Sequence, residues 1–159
     1  MYSAVIPAPW GGRLGIRDDG AVLTGLDFLP APTAVQPPRG ELAIQVCHEL
    51  EHYFSDPSAT FSVPQRRGGT PFQQRVWAAL VAIPAGRVLR YGELAAQLGA
   101  SARAVGQACG SNPLPLLVPC HRVLAARGLG GFDHRQDGER LDIKLWLLGH
   151  EGYLLPLVP

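Results

Sequence analysis

Cysteine is scarce in this chain: three in 159 residues, an odd number spread along its length. That excludes a disulfide framework of the kind that staples small secreted domains. Long hydrophobic runs are missing too. Proline, glycine or a charge interrupts every candidate well short of the roughly 18 residues that a membrane helix needs. The opening MYSAVIPAPW has neither the basic start nor the apolar core of a secretory leader, so none is expected. There is almost no excess of charge, +1 overall, no internal repeat and no low-complexity tract. A cytoplasmic location follows as the expectation, and in that reducing setting a lone thiol stays available for chemistry. What is present, 47% hydrophobic and 17% charged residues, is ordinary for a soluble globular protein of one or two small domains.

The small net charge hides an asymmetry. Residues 1–65 carry three arginines against seven acids, whereas residues 66–159 carry ten arginines and Lys144 against six acids. Basic charge gathered in one half points to a polyanion as that half's partner; a chance division between two solvated faces gives the same count.

The organisation of the chain agrees with a division near residue 66. In GRLGIRDDGAVLTGLDF, apolar runs flank Asp18-Asp19-Gly20, which predicts a hairpin. A proline-rich loop follows, then ELAIQVCHELEHYF with helical periodicity through Leu42, Val46 and Leu50. SDPSATFSVPQRRGG reads as a linker. Beyond it, Thr70, Pro71 and Gln73 form the N-cap, N1 and N3 signature of a capping box, which starts a helix ended by Pro84 and Gly86. YGELAAQLG and SARAVGQACG predict two short helices joined at Gly99, with Ser101 capping the second, at helix-turn-helix spacing. NPLPLLVP is expected to be extended, and LDIKLWLLGHEG closes the chain as an amphipathic helix with Gly152 past its end. The fold class is therefore α+β: a small mixed α/β N-terminal domain over 1–65, then a mostly helical domain with a helix-turn-helix over 66–159.

Three motifs could carry chemistry. HELEH places His48 and His52 on one helix face with Glu49 between, the spacing of a zinc peptidase. No third ligand motif follows, Glu51 adds an unhelpful charge, and little acidic chain remains to build a cleft, so an exposed polar face is the better reading. Cys47 falls on that helix's inner face and Cys109 at the end of a short helix, both read as inert buried thiols. Cys120, in VPCHRV, is a structural thiol, a metal ligand or a nucleophile. As a nucleophile it needs a base or a positive environment. Side chains of adjacent residues in an extended chain diverge, so His121 could serve only through a turn or a bridging water. Glu151, at the end of the last helix, could orient His121 as the third member of a relay.

NPLPLLVPCHRV resembles the active-site signature of the O6-alkylguanine-DNA alkyltransferases, the methylated-DNA–protein-cysteine methyltransferases. GTPFQQRVWAAL, IPAGRVLRYGELAAQLG, ARAVGQACGSNP and WLLGHEG stand in that family's order and spacing, so the resemblance covers about residues 68–152. It implies that Cys120 takes the alkyl group from O6 of guanine by direct displacement and is consumed in doing so. His121 would be the base through water, Glu151 would hold its tautomer, and Tyr91 would donate a proton to the departing guanine. Arg103 would fill the stack vacated by a flipped nucleotide. Ala102, Ala104 and Gly106 would let their helix lie close in the minor groove of double-stranded DNA. Asn112 would be the hinge ahead of the active site, and Val123, Phe132 and Asp133 would line the substrate pocket. No cofactor or metal is implied, and a monomer is expected.

Two departures stand out. Arg90 occupies a position where this family usually has a capping Ser or Thr, which predicts a lost cap exchanged for a phosphate contact. Asp133 falls where a Ser often sits near guanine O6, and HRQDGER, 134–140, resembles a small insertion. Two other readings compete with the alkyltransferase. A non-catalytic lesion-binding relative would lack the active cysteine. A dimeric helix-turn-helix regulator is disfavoured by the near-neutral charge and the single module.

Overall fold

The structure, a computed structural model, describes residues 1–126 and 138–153. The chain divides into two compact units, Met1–Arg67 and Gly68–Pro159.

The first unit is a three-stranded antiparallel sheet in the order β1 (Ala4–Pro7), β2 (Arg13–Asp18), β3 (Leu23–Leu29), with one helix, α1 (Glu41–Ser55). The predicted hairpin is β2–β3, in the register Leu14↔Phe28 and Ile16↔Leu26. Its turn is closed by Asp19, whose Oδ1 accepts from the Ala21 and Val22 amides, and by Gly20 at φ 90, a conformation that suits a residue without Cβ. Strand β1 had no sequence signal. It is four residues long and ends in proline, which is tolerated because β1 is the edge strand of this sheet. From α1, Ala43, Val46, Cys47, Leu50 and Tyr53 are buried, the i, i+3, i+4 stripe read from the sequence.

The second unit contains α2 (Pro71–Val81), β4 (Leu89–Arg90), α3 (Tyr91–Leu98), α4 (Ala102–Gly110), a 3₁₀ turn (Cys120–Arg122), β5 (Val123–Leu124) and α5 (Gly138–His150). The architecture is α+β, as expected. The capping box of α2 is present: Thr70 Oγ1 accepts from the Gln73 amide at 3.1 Å and Gln73 Oε1 accepts from the Thr70 amide at 2.9 Å. Helix α3 ends on Gly99 in the left-handed region, φ 64, and Ser101 caps α4 by accepting from the Ala104 amide. Trp77 of α2 is buried and donates from Nε1 to the Ala108 carbonyl (2.8 Å), fastening α2 to α4. Helix α5 starts earlier than the sequence suggests, so residues 138–140 of the expected insertion belong to it. Among the described residues, no helix is long and apolar enough to cross a membrane.

Candidate active site

The segment before Cys120 is a closed turn, not the extended run predicted from its prolines. Asn112, buried, donates from Nδ2 to the Val118 carbonyl (2.8 Å) and accepts at Oδ1 from the Leu114 amide (2.9 Å). The Val118 amide returns to the Leu114 carbonyl at 2.9 Å, and Leu116 sits at φ 76. A non-glycine residue there costs of order 1–3 kcal/mol and persists only where its surroundings fix it. Proline forbids helix but does not choose between extended chain and turn; Asn112 chooses here.

The chain then enters the 3₁₀ turn Cys120–Arg122, with the Arg122 amide on the Pro119 carbonyl at 3.0 Å. The turn supplies what an extended chain could not. Cys120 and His121 are both buried, and His121 Nε2 meets Glu151 Oε2 at 2.8 Å across 30 residues. Glu151 lies just past α5, with 1% of its side chain exposed. It also receives Arg122 in bidentate fashion, Nε on Oε1 and Nη2 on Oε2, each at 2.8 Å. An ionised, doubly bonded carboxylate accepts, so the His121 proton sits on Nε2. Nδ1 is buried and makes no hydrogen bond among the described residues. Burial holds the His121 imidazolium below its usual range; Glu151 pulls the other way, and Arg122 and Lys144 add to the lowering. The imidazole is therefore neutral at physiological pH, with a lone pair on Nδ1.

Tyr91, the first residue of α3, is largely enclosed. Burial, and then the thiols of Cys109 and Cys120, raise its phenol above the ordinary value. Cys109 is pushed up to about 12 by burial and by Cys120, with Lys144 opposing. The structure thus brings buried Cys120, His121, Glu151 and Asn112 and half-buried Tyr91 into one neighbourhood. Val123 is buried in β5, one residue past the turn. Arg103 and Ala102 are exposed on the first turn of α4, Ala104 and Gly106 are half-buried, and a Cβ on Gly106 would meet nothing within 4 Å. Phe132 and Asp133 lie outside the described residues.

Two residues of this neighbourhood, Lys144 and Arg122, were given no role by the sequence reading, and a third, Arg90, was given a different partner. Lys144 of α5 is the chain's one lysine, and it is fully buried, donating from Nζ to the Val123 carbonyl (2.8 Å) and standing 5.9 Å from the Tyr91 ring centroid. Burial pulls its ammonium down to about 8, against the attraction of the Cys120 and Cys109 thiols. A signal existed: Lys144 sits three and four residues before the buried Leu147 and Leu148, on the apolar stripe. Arg122 was legible only as a neighbour of Cys120, because its partners lie 29 and 39 residues away. Arg90 was expected to reach phosphate. Instead its Nη1 donates to the Ala125 carbonyl at 2.6 Å, bracing the parallel β4–β5 pair. An arginine side chain has no acceptor to cap α3 with, but the reciprocal half of the cap survives as the Arg90 amide on Glu93 Oε1 at 2.9 Å.

The HELEH motif does not assemble a metal site. His48 and His52 are exposed, while Glu49 is occupied by Gln45, the Ser62 amide and hydroxyl, and the Val63 amide at 2.7–3.1 Å. It anchors the segment after α1. Among the described residues, no three His, Cys, Asp or Glu side chains gather as ligands.

Comparison with known proteins agrees with this geometry. A family profile described as the DNA-binding domain of 6-O-methylguanine DNA methyltransferase matches residues 71–153. The methylated-DNA–protein-cysteine methyltransferase of Salmonella typhimurium is 50% identical over 111 residues, covering 67% of this chain and 62% of that protein. The one from Haemophilus influenzae is 38% identical over 154 residues, covering 91% and 86%. Among solved structures, the O6-methylguanine methyltransferase of Mycobacterium tuberculosis superposes with a TM-score of 0.78 at 36% identity over 99% of this chain and 97% of that one. A crystal structure of the M. tuberculosis protein in complex with DNA gives 0.75 at 38% identity, over 92% and 90%. On the profile match, the identities and the superposition together, the chain belongs to the O6-methylguanine DNA methyltransferase family.

Proposed function

We propose that this protein repairs DNA by moving the methyl group of O6-methylguanine onto Cys120, once per molecule. The observation that carries the reading is His121: wholly buried in the turn after Cys120, tied through Nε2 to Glu151, with its Nδ1 lone pair uncommitted. In the reaction a sulfur–carbon bond forms as the carbon–O6 bond breaks. The thiol proton passes to His121 Nδ1 through water, and the guanine anion takes a proton from the Tyr91 phenol. The His121 imidazolium then returns its proton to the Tyr91 phenolate through water, so that the net change carries one methyl from oxygen to sulfur and one proton from sulfur to the guanine. A thioether has no easy leaving path, so Cys120 is not regenerated, and neither metal nor cofactor is required.

The target atom is inaccessible within a duplex, so the nucleotide must leave the stack. Arg103, exposed on α4 among small residues, suits filling the gap, and α4 suits the minor groove. The M. tuberculosis relative solved with DNA supports DNA as the partner. Asn112 holds the turn that presents Cys120, and Val123 lines the pocket; Phe132 and Asp133 join it on the family resemblance. The protein acts as a monomer.

The test is intact-protein mass after incubation with excess O6-methylguanine duplex, followed by peptide mapping. One added methyl per chain, located on Cys120 and absent from Cys120→Ala, is expected, with DNA binding retained by the variant. An unchanged mass with retained binding would make the protein a lesion-recognition module, and methylation of Cys120→Ala would make another thiol the acceptor.

A further inference from the structure

Arg122 is bound at both ends of its guanidinium. Nε and Nη2 hold both oxygens of Glu151, while Nη1 donates to the Ile83 carbonyl at the end of α2 (2.5 Å). One carboxylate therefore serves two cations-in-waiting: a permanent one, Arg122, and a titratable one, His121. The buried Glu151 charge must be balanced. Without the arginine, the imidazole is the group able to balance it, by taking a proton on Nδ1 and ceasing to be a base. With the arginine in place the balance is already met.

We propose that Arg122 is a positioning residue for the methyl transfer: by neutralising and fixing Glu151, it keeps the His121 proton on Nε2 and reserves Nδ1 as the base. This rests on the transfer reaction proposed above. The surroundings agree in sign. Besides Glu151, the charged or titratable groups around His121 among the described residues are Lys144 from α5 and Arg122 and Cys120 from its own turn. Lys144 and Arg122 both disfavour the imidazolium. Helix α2 is also packed on the turn, and the chain just past it contributes the Ile83 carbonyl; the helix's one charged side chain, Arg75, is turned to the Leu98 carbonyl. A purely mechanical brace between α2 and the chain after α5 would need only the geometry, so charge separates the two roles.

The experiment is the single-turnover rate of methyl transfer from duplex DNA against pH, for the full chain and for Arg122→Gln, Arg122→Lys, Glu151→Gln and the double variant Arg122→Gln/Glu151→Gln. His121 is followed in parallel by ¹⁵N imidazole NMR. Removing Arg122 raises the proton affinity of His121, so the acid limb of the profile is expected to move up by about one pH unit, with transfer slowed about tenfold on the acid side of the limb and no more than about threefold near pH 7. The His121 titration should move up with it. Arg122→Lys keeps a charge but loses the fork, so a smaller shift in the same direction is expected. In the Glu151→Gln background, Arg122→Gln should shift the profile much less, because no carboxylate remains to neutralise and only the direct repulsion between guanidinium and imidazolium is lost. Equal slowing at every pH with an unmoved His121 titration would overturn the proposal and leave a brace. So would an undiminished shift in the double variant. Should Arg122→Gln not fold, Arg122→Lys alone decides through its pH profile. Absence of methylation in the unaltered chain would sink the transfer reading instead, while the NMR titration would still test the link between Arg122 and His121.

Discussion

Lys144 shows how much a single residue can hold in tension. Burying an ammonium is unfavourable, and its folded pKa of about 8 against 10.5 for a free lysine corresponds to about 3 kcal/mol of destabilisation at pH 7. The hydrogen bond to the Val123 carbonyl offsets part of that. A thiolate on Cys120 would be stabilised by the same charge, which gives the burial a use. Lys144→Met, similar in length and unbranched, is therefore expected to slow transfer about tenfold while leaving the melting temperature at pH 7 unchanged or a few degrees higher. Single-turnover kinetics and differential scanning fluorimetry check the two halves. A lower melting temperature would mean that the Val123 bond outweighs desolvation. At this scale the sequence was readable where chemistry is local, as with His121 beside Cys120 and Glu151 at a helix end, whereas Tyr91 entered only through the family resemblance. The sequence was silent where a side chain's meaning lies across the fold, as with Arg122 and Ile83, or Arg90 and Ala125.

At the scale of elements, α4 carries two separable burdens. Ser101 starts it by capping the Ala104 amide, and Arg103 projects from its first turn into solvent. Ser101→Ala should destabilise the fold by about 1 kcal/mol, read as a shift in denaturant midpoint, with a small effect on transfer once folded. Arg103→Ala should do the opposite: stability unchanged, repair of duplex slowed more than reaction with free O6-methylguanine, because the free base needs no flipping. Equal slowing on both substrates would remove Arg103 from the flipping step. Helix boundaries with local chemistry were legible, since Thr70, Pro71, Gln73, Gly99 and Ser101 act within one turn of themselves. Strand β1 and the turn at 112–119 were not. The first is held by β2 on one edge and by the Val5–Gln36 bridge on the other, and the second is set by an Asn112 side chain that reaches six residues ahead.

For the whole molecule, the pH-sensitive groups are distributed unequally between the two units, and acid should expose that. His121 is neutral in the folded state below the 6.5 of a free imidazole. In that range the unfolded chain binds a proton that the folded chain refuses, so stability falls as pH drops through and below 6.5. Lys144 works in the same sense higher up. Between about 8 and 10.5 the unfolded chain is protonated and the folded one is not, so this contribution rises with pH there. Cys109, raised to about 12, opposes it above the 9.0 of a free thiol, where the unfolded chain loses a proton that the folded chain keeps. All three belong to the second unit, whose stability should therefore climb to about pH 9 and level off above it, with the raised Tyr91 phenol turning it downward beyond 10. In the first unit, the resolved shifts on Asp19, Glu49 and Cys47 act on groups that ordinarily titrate at or below 4.5 or near 9.0, outside the range of His121. Denaturant titrations followed by ¹⁹F-tryptophan NMR can separate the units, with Trp10 reporting the first and Trp77 the second. Between pH 7.5 and 5.5 the Trp77 midpoint is expected to fall while that of Trp10 holds, and His121→Gln should flatten the Trp77 dependence. Coincident movement of both resonances would mean that the chain unfolds as one cooperative body, so that the proton linkage of the buried site is felt by all of it.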